Sequence, residues 1–236
     1  MAIAIYYNRH IIIYNISLLS NACINSGKNK ICHNDIIVPN DDISGPANSL
    51  RLNMEWEPWL REFIEKYCDK RYIALDIGAH IGIHTLTMSK YAKQVIAFEP
   101  SPKTFEVLNE NTKKHNNIKI YKMAVGNYTG TTKFILNDVS SLSQIEGFEN
   151  VNVPIVDLDT FLDKETKQLI NFIKIDVEGF EIPAFQGMKN IIIQNKPIIV
   201  FEDHTGDTCK HLQDNFNYSI TEINSSNFIA IHKIEQ

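Results

Sequence analysis

Four residues, Asp76, Gly78, Gly82 and Glu99, have types and spacing that can do chemistry. The stretch Asp76-Ile-Gly-Ala-His-Ile-Gly82 follows a short apolar run and leads into helical spacing. That is the layout of a buried strand, a tight turn and a helix start. Gly78 lets the backbone turn without a Cβ penalty, and Gly82 lets the first helical turn approach a ligand closely. About twenty residues on, the apolar run Val95–Phe98 ends in Glu99-Pro100. A carboxylate at the tip of the next strand, at that spacing, suits the diol of a ribose. The two signals together point to a nucleoside.

The loop decides which nucleoside. Dinucleotide sites use G-x-G-x-x-G, so that helix N–H groups cradle a pyrophosphate. Here an acid precedes the first glycine and there is no G-x-G. Asp76 would repel a pyrophosphate and attract the cationic part of S-adenosylmethionine, directly or through water. A methyl donor is therefore favoured over a nicotinamide dinucleotide. The plainer alternative, an Asp-Ile-Gly turn capping a helix in an unrelated α/β protein, is opposed by Glu99 at the expected distance.

A second group of acids ends two later apolar runs. Phe172-Ile-Lys-Ile-Asp-Val-Glu178 brings Asp176 and Glu178 to a strand tip, and two residues apart in extended chain they share a side. Lys174 lies on that side too and needs a carboxylate partner, Asp176 or Asp76. The alternatives are helix capping for the two acids and a purely structural ion pair for Lys174. Pro197–Phe201 then runs into Glu202, Asp203 and His204. Acids at adjacent strand tips can share a divalent ion such as Mg²⁺ or Mn²⁺, with Asp176 and Glu202 as candidate ligands, or supply a general base. His204 titrates near neutrality and is a base candidate, although a lone surface histidine is commoner. His80 and His84 flank the glycine loop and read as positional.

These residues need a sheet to hold them. Alternating strands and helices, at 72–77, 81–92, 94–98, 101 onward and 118–125, give a doubly wound, mostly parallel, Rossmann-like α/β sheet. Ser101-Pro102 is a strong helix start. Thr131–Leu136 and Val151–Val156 have strand composition and flank a polar loop holding Ser140, Ser141 and Ser143. Tyr218–Glu222 and Phe228–Lys233 read as a closing antiparallel hairpin. Met54 opens a helical pattern whose apolar face is Trp56, Leu60, Phe63, Ile64 and Tyr67, packed on the edge of the sheet. Glu55-Trp56-Glu57 is also placed to form a lid. Before it, short strands near 4–14 and 35–38 and loops through Gly45-Pro46 make up an N-terminal extension, residues 1–50, ahead of a single domain, 51–236.

The chain has 236 residues, of which 44% are hydrophobic, enough for one globular domain with a proper core. A net charge of −5 disfavours a sequence-independent grip on nucleic acid. Neither a membrane span nor a signal peptide is apparent. Cys23, Cys32, Cys68 and Cys209 lack metal or disulfide spacing and read as free thiols in a reducing, cytoplasmic setting.

Taken in order, Asp76–Leu86, Phe98-Glu-Pro-Ser101, Val156–Phe161, Ile173–Glu181 and Gly187-Met188 resemble the FkbM-type family of S-adenosylmethionine-dependent methyltransferases. The resemblance covers roughly Met54 to His204 and departs at His80, where the family more often shows Asn. It implies a class I methyltransferase fold and, most often, O-methylation of a hydroxyl on a sugar, glycan or polyketide-like product. On that reading Gly78, Ala79 and Gly82 offer backbone contacts, with His80 beside them. Asp76 serves the methionine end, Glu99 with Pro100 the ribose, and Met123-Ala124 the adenine. Asp176, Glu178, Glu202 and His204 form the acceptor side, with Asp176 also reaching the donor. Lipid-linked acceptors and a donor-binding module without catalysis remain alternatives.

Overall fold

The computed structural model describes residues 2–7, 10–15, 30–33, 36–39, 42–135 and 150–233, with side chains from residue 36 onward. The serine loop at 140–143 and the Asn/Ser/Lys-rich link near residue 25 lie outside the described residues. At the N-terminus β1 (Ala2–Tyr7) pairs antiparallel with β2 (His10–Asn15), and β3 (Lys30–His33) pairs with β4 (Ile36–Pro39). The single strand expected over 4–14 is thus a hairpin of two, and the one expected over 35–38 is one arm of a second hairpin. The Gly45-Pro46 segment, expected as loop, is the start of a helix, α1 (Gly45–Arg51). The reason is local: the Ser44 hydroxyl accepts from the Ala47 amide, and Pro46 in the first turn needs no N–H partner. The following helix, α2 (Pro58–Tyr67), opens at a proline and leaves Trp56 outside it. Glu57, just before it, is left-handed at φ 48°.

The central elements then alternate: β5 (Ile73–Ile77), α3 (Ile83–Tyr91), β6 (Gln94–Phe98), α4 (Pro102–Thr112) and β7 (Ile118–Tyr121). The strand expected over 118–125 breaks at Lys122-Met123. Its second half, β8 (Ala124–Val125), leaves the main sheet to pair with β10 (Asn150–Val156), which also pairs with β9 (Gly130–Ile135). After α5 (Leu158–Phe161) and α6 (Lys164–Gln168) come β11 (Ile170–Ile175), α7 (Glu181–Gln186), α8 (Lys189–Asn195) and β12 (Ile198–Glu202). The chain finishes with α9 (Asp207–Phe216), β13 (Tyr218–Glu222) and β14 (Asn227–His232).

The main sheet has seven strands in the order β13-β14-β12-β11-β5-β6-β7. The five from β12 to β7 are parallel, and β14 runs against both its neighbours, giving the closing hairpin. Alternate residues of each strand face opposite layers, as the period of two requires. Leu75, Ile77, Ile96, Ile173 and Phe185 belong to one core layer. Ala74, Val95, Phe172, Val200 and Ile229 meet Leu60 and Ile64 of α2 in the other. The α2 helix therefore packs across the face of the central strands and not on the sheet edge. Every residue of β5 is buried, as expected of a parallel strand covered on both sides. Strand order reverses between β5 and β11, which opens a crevice at their C-terminal ends.

Residues 36–51 pack on the same body. Val38, Ala47 and Leu50 share a small core with Ile81 and Val107, and the Asn111 side chain bonds both the N–H and the C=O of Ile37. Cys68 and Cys209 are free thiols, pushed up to about 12, chiefly by burial. Cys23 and Cys32 lie outside the side chains described. Among the described residues no helix is long and apolar enough to cross a membrane.

Candidate active site

A cleft of about 230 Å³ sits over the strand tips at the reversal point. Its floor is the turn after β5. The amides of Gly78 and Ala79 both donate to the Phe98 carbonyl at 3.0 Å, tying that turn to the end of β6. Gly78 has φ +80°, and a Cβ there would lie 1.8 Å from the Asp176 carbonyl oxygen, so only glycine fits between β5 and β11. His80 is also left-handed, at φ 51°, which turns its amide toward Glu99. One carboxylate oxygen of Glu99 accepts from that amide at 2.9 Å, the other from the Ser101 amide at 2.8 Å. Burial still dominates and raises Glu99 to about 7. Pro100, Met123 and Ala124 line the cleft beside Phe98. Gly82 does not line it: at φ +92° it makes the turn into α3, against Leu108 of α4.

Beneath the turn lies a buried charge network. Lys174 and Asp76 face each other across the β11–β5 pairing, with 6% and 0% of their surface exposed. The Lys174 ammonium donates to the Gly78 carbonyl at 2.7 Å and stands 3.6 Å from both Asp76 Oδ1 and Asp176 Oδ2. Burial works against that ammonium, but Asp176 and Asp76 outweigh it and its pKa rises above the ordinary lysine value. The other oxygen of Asp76 accepts from the Thr85 hydroxyl at 2.5 Å. Asp76 therefore does not line the cleft and meets it through Lys174. Both carboxylates expected as partners for Lys174 serve at once.

Asp176, Glu178 and Glu202 line the cleft on the β11–β12 side. The two β11 acids converge by a loop and not by extended chain: β11 ends at Ile175, and Glu178 is left-handed at φ 53°. Neither caps α7. The Glu181 carboxylate instead gathers that loop, accepting from the Val177 and Gly179 amides at 3.2 Å each. Burial, then Asp176 and Glu202, raise Glu178 to about 8. Burial and Asp176 likewise raise Glu202, with His204 opposing. Asp203 turns away to hold the start of α9, accepting from the amides of Thr205, Gly206 and Cys209. His204 lies on the rim, 3.4 Å from Glu202 with its ring 61% exposed, and does not line the cleft.

The lining also includes residues that the sequence does not mark as site residues, or marks only as a lid, among them Gly45, Pro46, Trp56, Glu57, Phe180 and Asn227. Trp56 packs against Gly45, where an added Cβ would meet its ring at 2.8 Å. Glu57 accepts or shares a proton with His84 Nε2 at 2.9 Å. Of the three residues expected as a lid, Trp56 and Glu57 line the cleft and Glu55 points instead to Arg61 at 2.6 Å.

The family model described as "Methyltransferase FkbM domain" matches residues 76–223, from the acid of the glycine turn to the closing hairpin. The chain belongs to the FkbM methyltransferase family. Curated relatives agree on the class. The hexuronic acid methyltransferase AglP of Haloferax volcanii is 27% identical over 191 residues, 78% of this chain and 74% of that protein. Methyltransferase 1 of Beauveria bassiana is 27% identical over 166 residues, 54% of this chain and 67% of that one. Among solved structures, the FkbM methyltransferase of Methylobacillus flagellatus shares the fold at a TM-score of 0.51 and 16% identity. The match covers 78% of this chain but only 52% of that one, so the chain spans about half of that protein.

In this FkbM methyltransferase the comparisons lend no support to a divalent ion. Among the described residues, the group of three side chains whose ligand-capable atoms lie within 4.8 Å of one another is Glu178, Glu202 and His204, and Asp176 is not part of it.

Proposed function

We propose that this FkbM methyltransferase moves the methyl group of S-adenosylmethionine onto a hydroxyl oxygen of a sugar, glycan or related small molecule. One observation carries the reading: a single cleft holds a fixed carboxylate at β6 and a crowded pair of carboxyls at β11 and β12. Two strand spacings separate the β6 carboxylate from β11 and three from β12, about 10–14 Å at the usual strand spacing. That length suits a nucleoside at one end and an acceptor at the other.

The residues present fit the donor. Each Glu99 oxygen accepts one backbone N–H and keeps lone pairs for the two ribose hydroxyls. Phe98, Met123 and Val125 give an apolar wall for an adenine ring. Lys174 and Asp176 give charges of both signs beside the turn for a methionine zwitterion. The bound donor supplies an electrophilic sulfonium methyl. On the acceptor side Glu178 would take the hydroxyl proton, and the oxygen would receive the methyl group from the bound donor, which would be left as the thioether. Glu202 orients the same hydroxyl. Alignment is the main contribution of the protein, and orientation can supply roughly 7–11 kcal/mol.

The named activity of the Haloferax relative favours a glycan-related acceptor over a polyketide-like or lipid-linked one. The full chain incubated with methyl-labelled donor and a panel of sugars, glycans, polyketides and lipid-linked compounds is expected to label a sugar hydroxyl. Label confined to the other classes would overturn the reading, and donor binding without transfer to any of them would leave a binding module. Glu99→Ala is expected to weaken binding of S-adenosylhomocysteine about thirty-fold by calorimetry, since a hydrogen bond to a charged group is worth about 2 kcal/mol.

A further inference from the structure

The acceptor end of the cleft carries a charge pattern that discriminates between sugars. Glu57, Asp176, Glu178 and Glu202 all line it, with Trp56 and Asn227. The cations within reach are committed elsewhere. Lys174 is buried, bonds the Gly78 carbonyl and lies between Asp76 and Asp176. His84 is bonded to Glu57, and burial lowers His80 to about 4, so that its ring is neutral at physiological pH. His204 stands beside Glu202 on the rim. A carboxylate entering this space meets Glu57 and Asp176, and the Glu178 carboxylate as well once pH rises through about 8, in a site partly shielded from water where such repulsion is large.

Hydroxyl and amino groups do the reverse, since they donate to carboxylates. The Trp56 ring adds an apolar face on which a sugar ring or an ammonium group packs. We infer that the acceptor is a neutral or amine-bearing sugar, and that Glu57, Glu178 and Glu202 make the cleft reject hexuronates. This rests on the sugar-methyltransferase reading and narrows it. It also sets this chain apart from the activity named for its Haloferax relative. The raised values of Glu178 and Glu202 agree with it, because donated hydrogen bonds or an ammonium would relieve their crowding and a further carboxylate would worsen it.

The test compares methyl glycosides of glucose, glucosamine and glucuronic acid as acceptors for the full chain with methyl-labelled S-adenosylmethionine at low salt. The first two are expected to show kcat/KM about thirty-fold or more above the glucuronide. The gap is expected to narrow at 0.5 M salt and in Glu57→Gln, as a charge effect must. A glucuronide labelled as fast as the glucoside, on a hydroxyl or on its carboxylate, would overturn the inference while leaving sugar methylation intact. Failure to label any of the three and any glycan of the wider panel would sink sugar methylation and the inference together. Binding of the three glycosides to the S-adenosylhomocysteine complex, followed by saturation-transfer NMR, gives the same ranking without turnover.

Discussion

Lys174→Met is expected to lower stability by about 3–5 kcal/mol, the usual cost of removing one partner from a buried ion pair. The lysine is 6% exposed and Asp76 fully buried, so the substitution strands a carboxylate among Leu75, Ile77 and the β11 backbone with no solvent to receive it. It also removes the bond that ties the Gly78 carbonyl to β11 across 96 residues of chain. For a domain of this size the melting temperature should fall by roughly 10 °C. The pH dependence has a definite sign. The folded pKa of Lys174 is raised, so its contribution is complete below the ordinary lysine value of 10.5 and is lost only as pH rises through the folded one. In the parent protein the lysine's contribution should therefore be constant between pH 6 and 9. Combining Lys174→Met with Asp76→Asn removes the stranded charge and should recover part of the stability. A double variant no more stable than Lys174→Met would show that packing, and not charge, holds this spot.

The strand tips were legible from the sequence because they obey local rules. Gly78 is demanded by a close backbone approach, Ser101-Pro102 is a self-contained helix start, and apolar runs such as Ile73–Ile77 bury on both faces of a parallel sheet. The acids that follow such runs had to arrive at one end of that sheet. What could not be read is what long-range packing decides. Gly45-Pro46 punctuates equally well before a loop or a helix; the Ser44 cap starts the helix, and Ile81 and Val107, from far along the chain, hold its Ala47 and Leu50 in place. Trp56 matched the helical spacing of Leu60 and Ile64, yet Pro58 sets the helix start and frees the tryptophan for the cleft. The 118–125 run is uniformly strand-like, and nothing within it says that its second half pairs with a strand thirty residues on. Asp76 shows the limit most directly: its charge suggested contact with a cationic ligand, whereas Lys174, also noticed in the sequence, stands between it and the cleft.

Glu178→Gln should abolish most turnover and leave the donor site alone. General-base removal costs about 10²–10⁴ in rate, while Glu178 lies on the β11 side, apart from the Glu99 carboxylate at β6. Calorimetry should give the same affinity for S-adenosylhomocysteine as the parent protein. Held up to about 8, first by burial and then by Asp176 and Glu202, the parent carboxyl becomes a base only as pH rises through that value. Its rate should therefore climb from pH 7 to 9, and the residual rate of the variant should not. Stability must move the other way. A carboxyl whose folded pKa lies above its unfolded value of 4.5 contributes stability below pH 4.5, and that contribution is lost as pH rises through about 8. The glutamine has no charge to bury, so the melting temperature of the variant should overtake that of the parent in alkaline solution. A variant that turns over normally would remove Glu178 from the chemistry. One that loses turnover but shows no alkaline gain in stability would mean the carboxyl is not crowded, and Glu202 with its neighbour His204 would become the better base.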